Sequence, residues 1–142
     1  MEEKIIPRSK YAIGTFCVGG VLYNLIEICW RGYTHWSMFV LGGLCFQVIG
    51  GIHDRFADRK PLFRCTLCAA AVTTLEFACG CLVNLNWHLN VWDYSSMPLN
   101  IKGQVCLLYS ALWGVLSLIA CPIYRLVRMR LSRDKRVRLI PQ

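Results

Sequence analysis

The feature that most constrains this chain is where its charges are missing. Four stretches, roughly 11–30, 36–52, 62–85 and 105–127, are apolar and almost free of charge. Crossing the hydrocarbon core of a bilayer takes about 20 such residues, with about 17 as the lower limit. Backbone N–H and C=O groups find no water there, so a spanning segment with no barrel partners must be an α-helix. The expected fold is therefore an all-α integral membrane protein: a four-transmembrane-helix bundle. Charged residues make up 17% of the chain, against about a quarter in a soluble domain. The deficit lies entirely in these stretches.

The chain divides accordingly into a short N-terminus (1–10), a four-helix membrane domain (11–127) and a basic tail (128–142). Small residues mark expected helix contacts. Gly42–Gly43 and Gly50–Gly51 fall in the second span, and Ser110, Gly114, Ser117 and Cys121 in the fourth, where they let backbones approach closely. Pro61 suits the start of the third helix. Pro122 is expected to kink or end the last turns of the fourth. The segment beyond Tyr124 reads as a basic helix lying on the membrane surface.

Orientation follows from Lys and Arg. Fourteen of the 16 lie in the N-terminus, the 53–64 connection and the tail, leaving only Arg31 and Lys102 for the opposite side. Positive residues stay inside, so the expectation is a multi-pass protein of the cell membrane with both termini cytosolic. The net charge of +8 flanks apolar spans and suits anionic headgroups. No groove-reading or base-stacking motif accompanies it, which argues against nucleic acid.

The longest connection, 86–104, then faces outward as a structured interfacial loop between helices three and four. Trp87, Trp92 and Tyr94 favour the headgroup region, and Pro98 and Gly103 break any long helix.

Ionisable groups inside a membrane are costly and mark sites by default. Glu27 and Glu76 are the two acidic residues within spans. Helical spacing aligns Gly20, Asn24, Glu27 and Arg31 on one stripe, and Thr73, Glu76, Gly80 and Asn84 on another. Both lead toward Trp92, Asp93 and Tyr94. The expected binding or pathway site comprises Asn24, Glu27, Arg31, Glu76, Trp92, Asp93, Tyr94 and Asn100. Structural readings stand beside it: Glu27 and Arg31 pair well at i, i+4, Glu76 can be protonated or hydrogen-bonded to a neighbouring helix, and Asp93 with Ser95 and Ser96 can cap a turn.

Nine cysteines are present, nearly all within apolar runs, where Cys behaves as a small apolar residue. Cys65-x-x-Cys68 has no second pair to complete a metal site. No metal or cofactor is expected, and without a P-loop motif the chain does not bind ATP in that way.

The most distinctive stretch is Trp92-Asp93-Tyr94, then Pro98, Asn100, Gly103, Cys106 and the Trp113-Gly114 pair. With Glu27 and Arg31 in helix one, and Leu75, Glu76 and Gly80 in helix three, it resembles the ABC-transporter permease family of the CmpB type, from about Tyr11 to about Tyr124. The resemblance implies a transporter or permease component, with a separate ATPase subunit. Four short helices enclose little by themselves, so a homo-oligomer or a partner membrane protein is expected beside the lipids. A scaffold or sensor without transport activity would instead lack a polar cavity. An enzyme acting on a lipid-linked substrate would bring Glu27, Glu76 and Asp93 together, although no nucleophile motif is evident.

Overall fold

The computed structural model describes residues 9–137. The N-terminal residues 1–8 and the final 138–142 lie outside the described residues, so the expected termini are described only in part. The element order is α1 (Ser9–Arg31), α2 (Trp36–Arg55), α3 (Pro61–Gly80), a π-helical turn (Cys81–Asn86), β1 (Asn100–Ile101), β2 (Val105–Cys106) and α4 (Leu107–Val137). Among the described residues, four helices are long and apolar enough to cross a membrane. The chain is a four-helix membrane bundle.

Helix α2 is the centre. Over half of its apolar window is buried, against less than a third in each of the others. α1 packs mainly on α2 and α3 mainly on α4, while α1 and α4 touch less. The outward surface is apolar: Ile13, Val21 and Leu25 on α1, and Leu108, Val115 and Ile119 on α4, are each about half or more exposed. In water this would be a liability; against lipid tails it is the expected face.

The glycines act at close approaches. A methyl group on Gly42 would lie 2.2 Å from Tyr23 Cβ, one on Gly43 would meet the Phe16 ring, and one on Gly50 would meet Tyr124. On α4, Gly114 faces the backbone of Cys65 on α3. The two ends of the bundle differ. One carries the five residues 56–60 between α2 and α3, where Arg128 and Arg125 of α4 pair with Asp54. The other, the loop end, carries the α1–α2 link and residues 87–106.

Two boundaries depart from the sequence reading. α2 continues to Arg55, past position 52. α4 begins at Leu107, because Val105 and Cys106 are held in a strand, and it continues unbroken through Pro122 to Val137. The basic segment after Tyr124 is thus a continuation of the same helix. Its Leu131 packs against Gly14 of α1, and this contact holds it beside the bundle.

Candidate functional site

The loop after α3 is built by buried polar groups. The π-helical turn widens the end of α3, and there Asn84 is 5% exposed. Its side-chain oxygen accepts from the Val91 N–H at 2.7 Å, while its amide donates to the Trp92 carbonyl at 3.1 Å and to Gln104 Oε1 at 2.9 Å. Trp92 is buried, donates Nε1–H to the Gln104 carbonyl at 2.9 Å, and lies against Gly80.

A short antiparallel ladder follows, pairing Asn100 with Cys106 and Ile101 with Val105. Its turn places Lys102 at φ +52° and Gly103 at φ +68° and is closed by Gln104 N–H to the Ile101 carbonyl at 3.0 Å. Positive φ at both central residues is the pattern that a type I′ turn requires, set here in a three-residue connection between Ile101 and Val105. Asn100 fastens this hairpin to the preceding turn, donating to the Met97 and Ser95 carbonyls and accepting from Gly103 N–H at 2.9 Å. Asp93 accepts from both the Ser95 amide and hydroxyl. Those bonds favour the ionised form and lower the Asp93 pKa.

This framework carries Tyr94 to the end of α3. Its hydroxyl donates to Glu76 Oε1 at 3.3 Å, and Trp113 Nε1–H of α4 donates to Glu76 Oε2 at 3.3 Å. Burial, first, and the nearby Glu76 carboxylate push the Tyr94 pKa upward, so its hydroxyl stays protonated. Glu76 itself is 2% exposed. Among the described residues no Lys or Arg pairs with it.

Two stacked ring pairs flank the carboxylate. Tyr23 lies against Trp113 with centroids 5.5 Å apart and planes at 15°, and Tyr94 lies against Tyr109 at 4.8 Å and 21°. Each pair supplies one donor to Glu76.

Glu27 is handled differently. Its Oε2 is 2.8 Å from an Arg31 guanidinium nitrogen, and a second Arg31 nitrogen donates to the Val91 carbonyl at 2.9 Å. Arg31 also lies 4.7 Å from the Tyr33 ring centroid. Its Nε is buried without a partner. The Thr34 hydroxyl is within reach of both Glu27 and Asn24, although a hydroxyl has one proton and serves one acceptor at a time.

Glu27, Arg31, Glu76 and Tyr94 line one cavity of about 310 Å³ with Tyr23, Ile26, Trp30, Tyr109, Leu112, Trp113 and Leu116. It meets a nearly apolar groove of about 450 Å³ between α1 and α4, floored by Gly42, Cys45, Phe46 and Ile49 of α2. The two share Tyr23, Ile26, Trp30, Trp113 and Leu116.

Of the eight residues expected from sequence, the structure thus gathers four at the cavity. Asn24, Trp92, Asp93 and Asn100 do not line it. Asp93 is exposed and engaged with Ser95, and Trp92 and Asn100 hold the loop together. The sequence reading passed over Tyr23, Trp30, Tyr109 and Trp113 as site members. Their spacing carried a signal, since Tyr23, Glu27 and Trp30 share a helix face, as do Tyr109 and Trp113.

No curated protein and no solved structure matches the chain. A family model described as "Putative ABC-transporter type IV" matches residues 14–140, which include all four helices apart from the first five residues of α1. On that match, the chain belongs to this ABC-transporter-type family of multi-pass membrane proteins.

Proposed function

We propose that this chain is the membrane component of an ABC-type transport system and that it binds its substrate in the cavity bounded by Glu27, Arg31, Glu76 and Tyr94. The observation that carries the reading is Glu76: a carboxylate 2% exposed, within an apolar bundle, with no cationic partner among the described residues and a cavity beside it. Such groups are costly, and in membrane proteins they usually face a pathway or a ligand.

The division into a membrane domain and basic ends supports termini on the cytosolic face of the cell membrane, with the cavity toward the outside. Hydrolysis of ATP falls to a separate subunit. The α2–α3 connection is too short for a coupling helix, which leaves α4 as the docking element. At 1.5 Å per residue, its 31 residues extend about 46 Å, well past a hydrocarbon core of about 30 Å. The incomplete enclosure between α1 and α4 favours a second copy or a partner membrane protein in the working assembly.

Two other readings fare less well. A scaffold or sensor needs no cavity lined by ionisable side chains, and Glu27, Arg31 and Glu76 line one. An enzyme acting on a lipid-linked substrate would gather three carboxylates, and Asp93 is elsewhere. The deciding experiment compares accumulation of a broad solute and lipid panel in cells lacking the protein, with and without ATP depletion. ATP-dependent flux of at least one compound should return with the wild type and fall about tenfold or more with Glu76→Gln, the loss of one buried charge contact. Normal flux across the whole panel sinks the transport reading.

A further inference from the structure

We propose that the ligand of this cavity is a single-chain amphiphile with an unphosphorylated organic ammonium head, the head lodging beside Glu76 and the alkyl chain running along the groove between α1 and α4. This rests on the cavity being the binding site of the transport component, and it names the class of molecule bound there.

The head is defined by charge. Glu27 is neutralised by Arg31, whereas Glu76 receives, among the described residues, two neutral donors, each at 3.3 Å. That is beyond the usual range of about 2.7–3.2 Å for the Trp113 N–H and of about 2.5–3.0 Å for the Tyr94 O–H, and a carboxylate offers about four acceptor positions. The site therefore holds a buried carboxyl with no cationic partner among the described residues and with acceptor capacity to spare, and a cation beside it would favour its ionised form. Around it stand Tyr23, Trp30, Tyr94, Tyr109 and Trp113. Aromatic walls with a carboxylate are the chemistry that recognises organic ammonium ions, because the ring quadrupole attracts the cation and the carboxylate supplies the opposite charge.

An anionic head is disfavoured. Among the described residues the one cation lining the cavity is Arg31, whose charge is matched by Glu27 and whose terminal nitrogens are engaged by Glu27 and the Val91 carbonyl, leaving only its buried Nε without a partner. The same commitment disfavours a phosphate next to the ammonium.

The tail is defined by shape. The groove is almost wholly apolar, begins at the rings that wall the cavity, and follows α1 and α4 away from the loop end. Its floor is lowered by Gly42, and its rim residues Leu25 and Ile119 are about half exposed. A chain entering from the surrounding lipid would reach the cavity without crossing a polar layer. The two spaces, about 310 and 450 Å³, fall within the usual range for ligand sites, roughly 300–1,000 Å³.

The test is equilibrium binding of radiolabelled dodecyltrimethylammonium to the full-length protein in nanodiscs, with unlabelled competitors. Saturable binding should be displaced by dodecyltrimethylammonium about tenfold or more better than by dodecyl sulfate, lysophosphatidylcholine or tetramethylammonium, tenfold being one decade of affinity. Equal displacement by dodecyl sulfate overturns the ammonium head. Equal displacement by lysophosphatidylcholine overturns its unphosphorylated character, and equal displacement by tetramethylammonium overturns the role of the groove.

Glu76→Gln should weaken binding about tenfold, by removal of one close charge. Trp30→Leu, at a side chain 75% exposed and thus dispensable for folding, should weaken it severalfold. Ala120→Phe should fill the groove and weaken the long-chain probe while leaving tetramethylammonium displacement unchanged. Unaltered affinity in all three variants overturns the site. Ammonium binding can fail while ATP-dependent flux still requires Glu76, in which case only the ligand class is lost. If binding succeeds without any flux, only the transport reading is lost.

Discussion

Tyr94 and Glu76 meet at 3.3 Å across the junction between a connecting loop and a membrane helix. That hydroxyl is the loop's direct bond to the buried carboxylate. Tyr94→Phe keeps the ring and its stack on Tyr109 but removes the bond. The expected loss is about 1 kcal/mol, typical of one hydrogen bond, read as a lower unfolding midpoint in mild denaturing detergent. An unchanged midpoint would mean that Trp113 alone satisfies Glu76.

Arg31 holds α1 to the same loop. Arg31→Met leaves Glu27 unpaired and the Val91 carbonyl without its donor. Buried pairs cost about 3–5 kcal/mol when one partner is removed, but these side chains are 12–19% exposed, so the expected cost is smaller, about 2 kcal/mol. The double variant Glu27→Gln with Arg31→Met should recover part of it. A double variant as unstable as Arg31→Met alone would show that the Val91 bond, and not the ion pair, is what matters.

Gly42 and Gly114 make a contrasting pair. An added methyl at position 42 would lie 2.2 Å from Tyr23 Cβ, whereas at Gly114 its nearest neighbour is 3.3 Å away. Gly42→Ala should destabilise by about 1–3 kcal/mol through overpacking and shift Tyr23 from its stack on Trp113. Gly114→Ala should cost under about 1 kcal/mol, since the contact needs only a few tenths of an ångström of adjustment. Similar unfolding midpoints for the two would disprove the tight α1–α2 contact.

The Asp93 turn should respond to acid. The Ser95 bonds lower the Asp93 pKa, so the folded loop prefers the ionised carboxylate. That preference is fully present above the ordinary Asp value of about 3.9 and is lost as pH falls through the depressed one. Exchange of the Ser95 amide should accelerate in that window, beyond the intrinsic pH dependence, in the wild type and not in Asp93→Asn. Identical pH profiles would remove Asp93 from the turn's stability.

The helices were legible because apolar length is nearly decisive in a membrane, and the Glu27–Arg31 pair was legible because i, i+4 spacing fixes it. The glycine contacts at 42, 43 and 50 followed from the same regularity. Other features had no periodic signature. Trp92 reads in sequence as a headgroup anchor, yet the π-helical turn and Asn84 draw it inside. Asp93 reads as a third carboxylate of the site, yet a serine two residues on claims it locally. The aromatic wall was obscured because Tyr and Trp near the end of a span serve equally well as interface anchors. The continuation of α4 was obscured because a run of arginines looks like a tail until Leu131 is seen against Gly14.

The π-helical turn at Cys81–Asn86 has a consequence for how this protein can vary. A π turn is an α-helix with one residue too many, and its width turns Asn84 toward the loop. Shortening 81–86 by a single residue would restore a regular helix and swing everything beyond it by about 100°, one residue's rotation at 3.6 residues per turn. The apolar length of the span would hardly change, but Tyr94 would no longer be delivered to Glu76. Chain length in these six residues is thus a register setting, and it ties the loop and the membrane cavity together more strictly than the identity of most side chains in either.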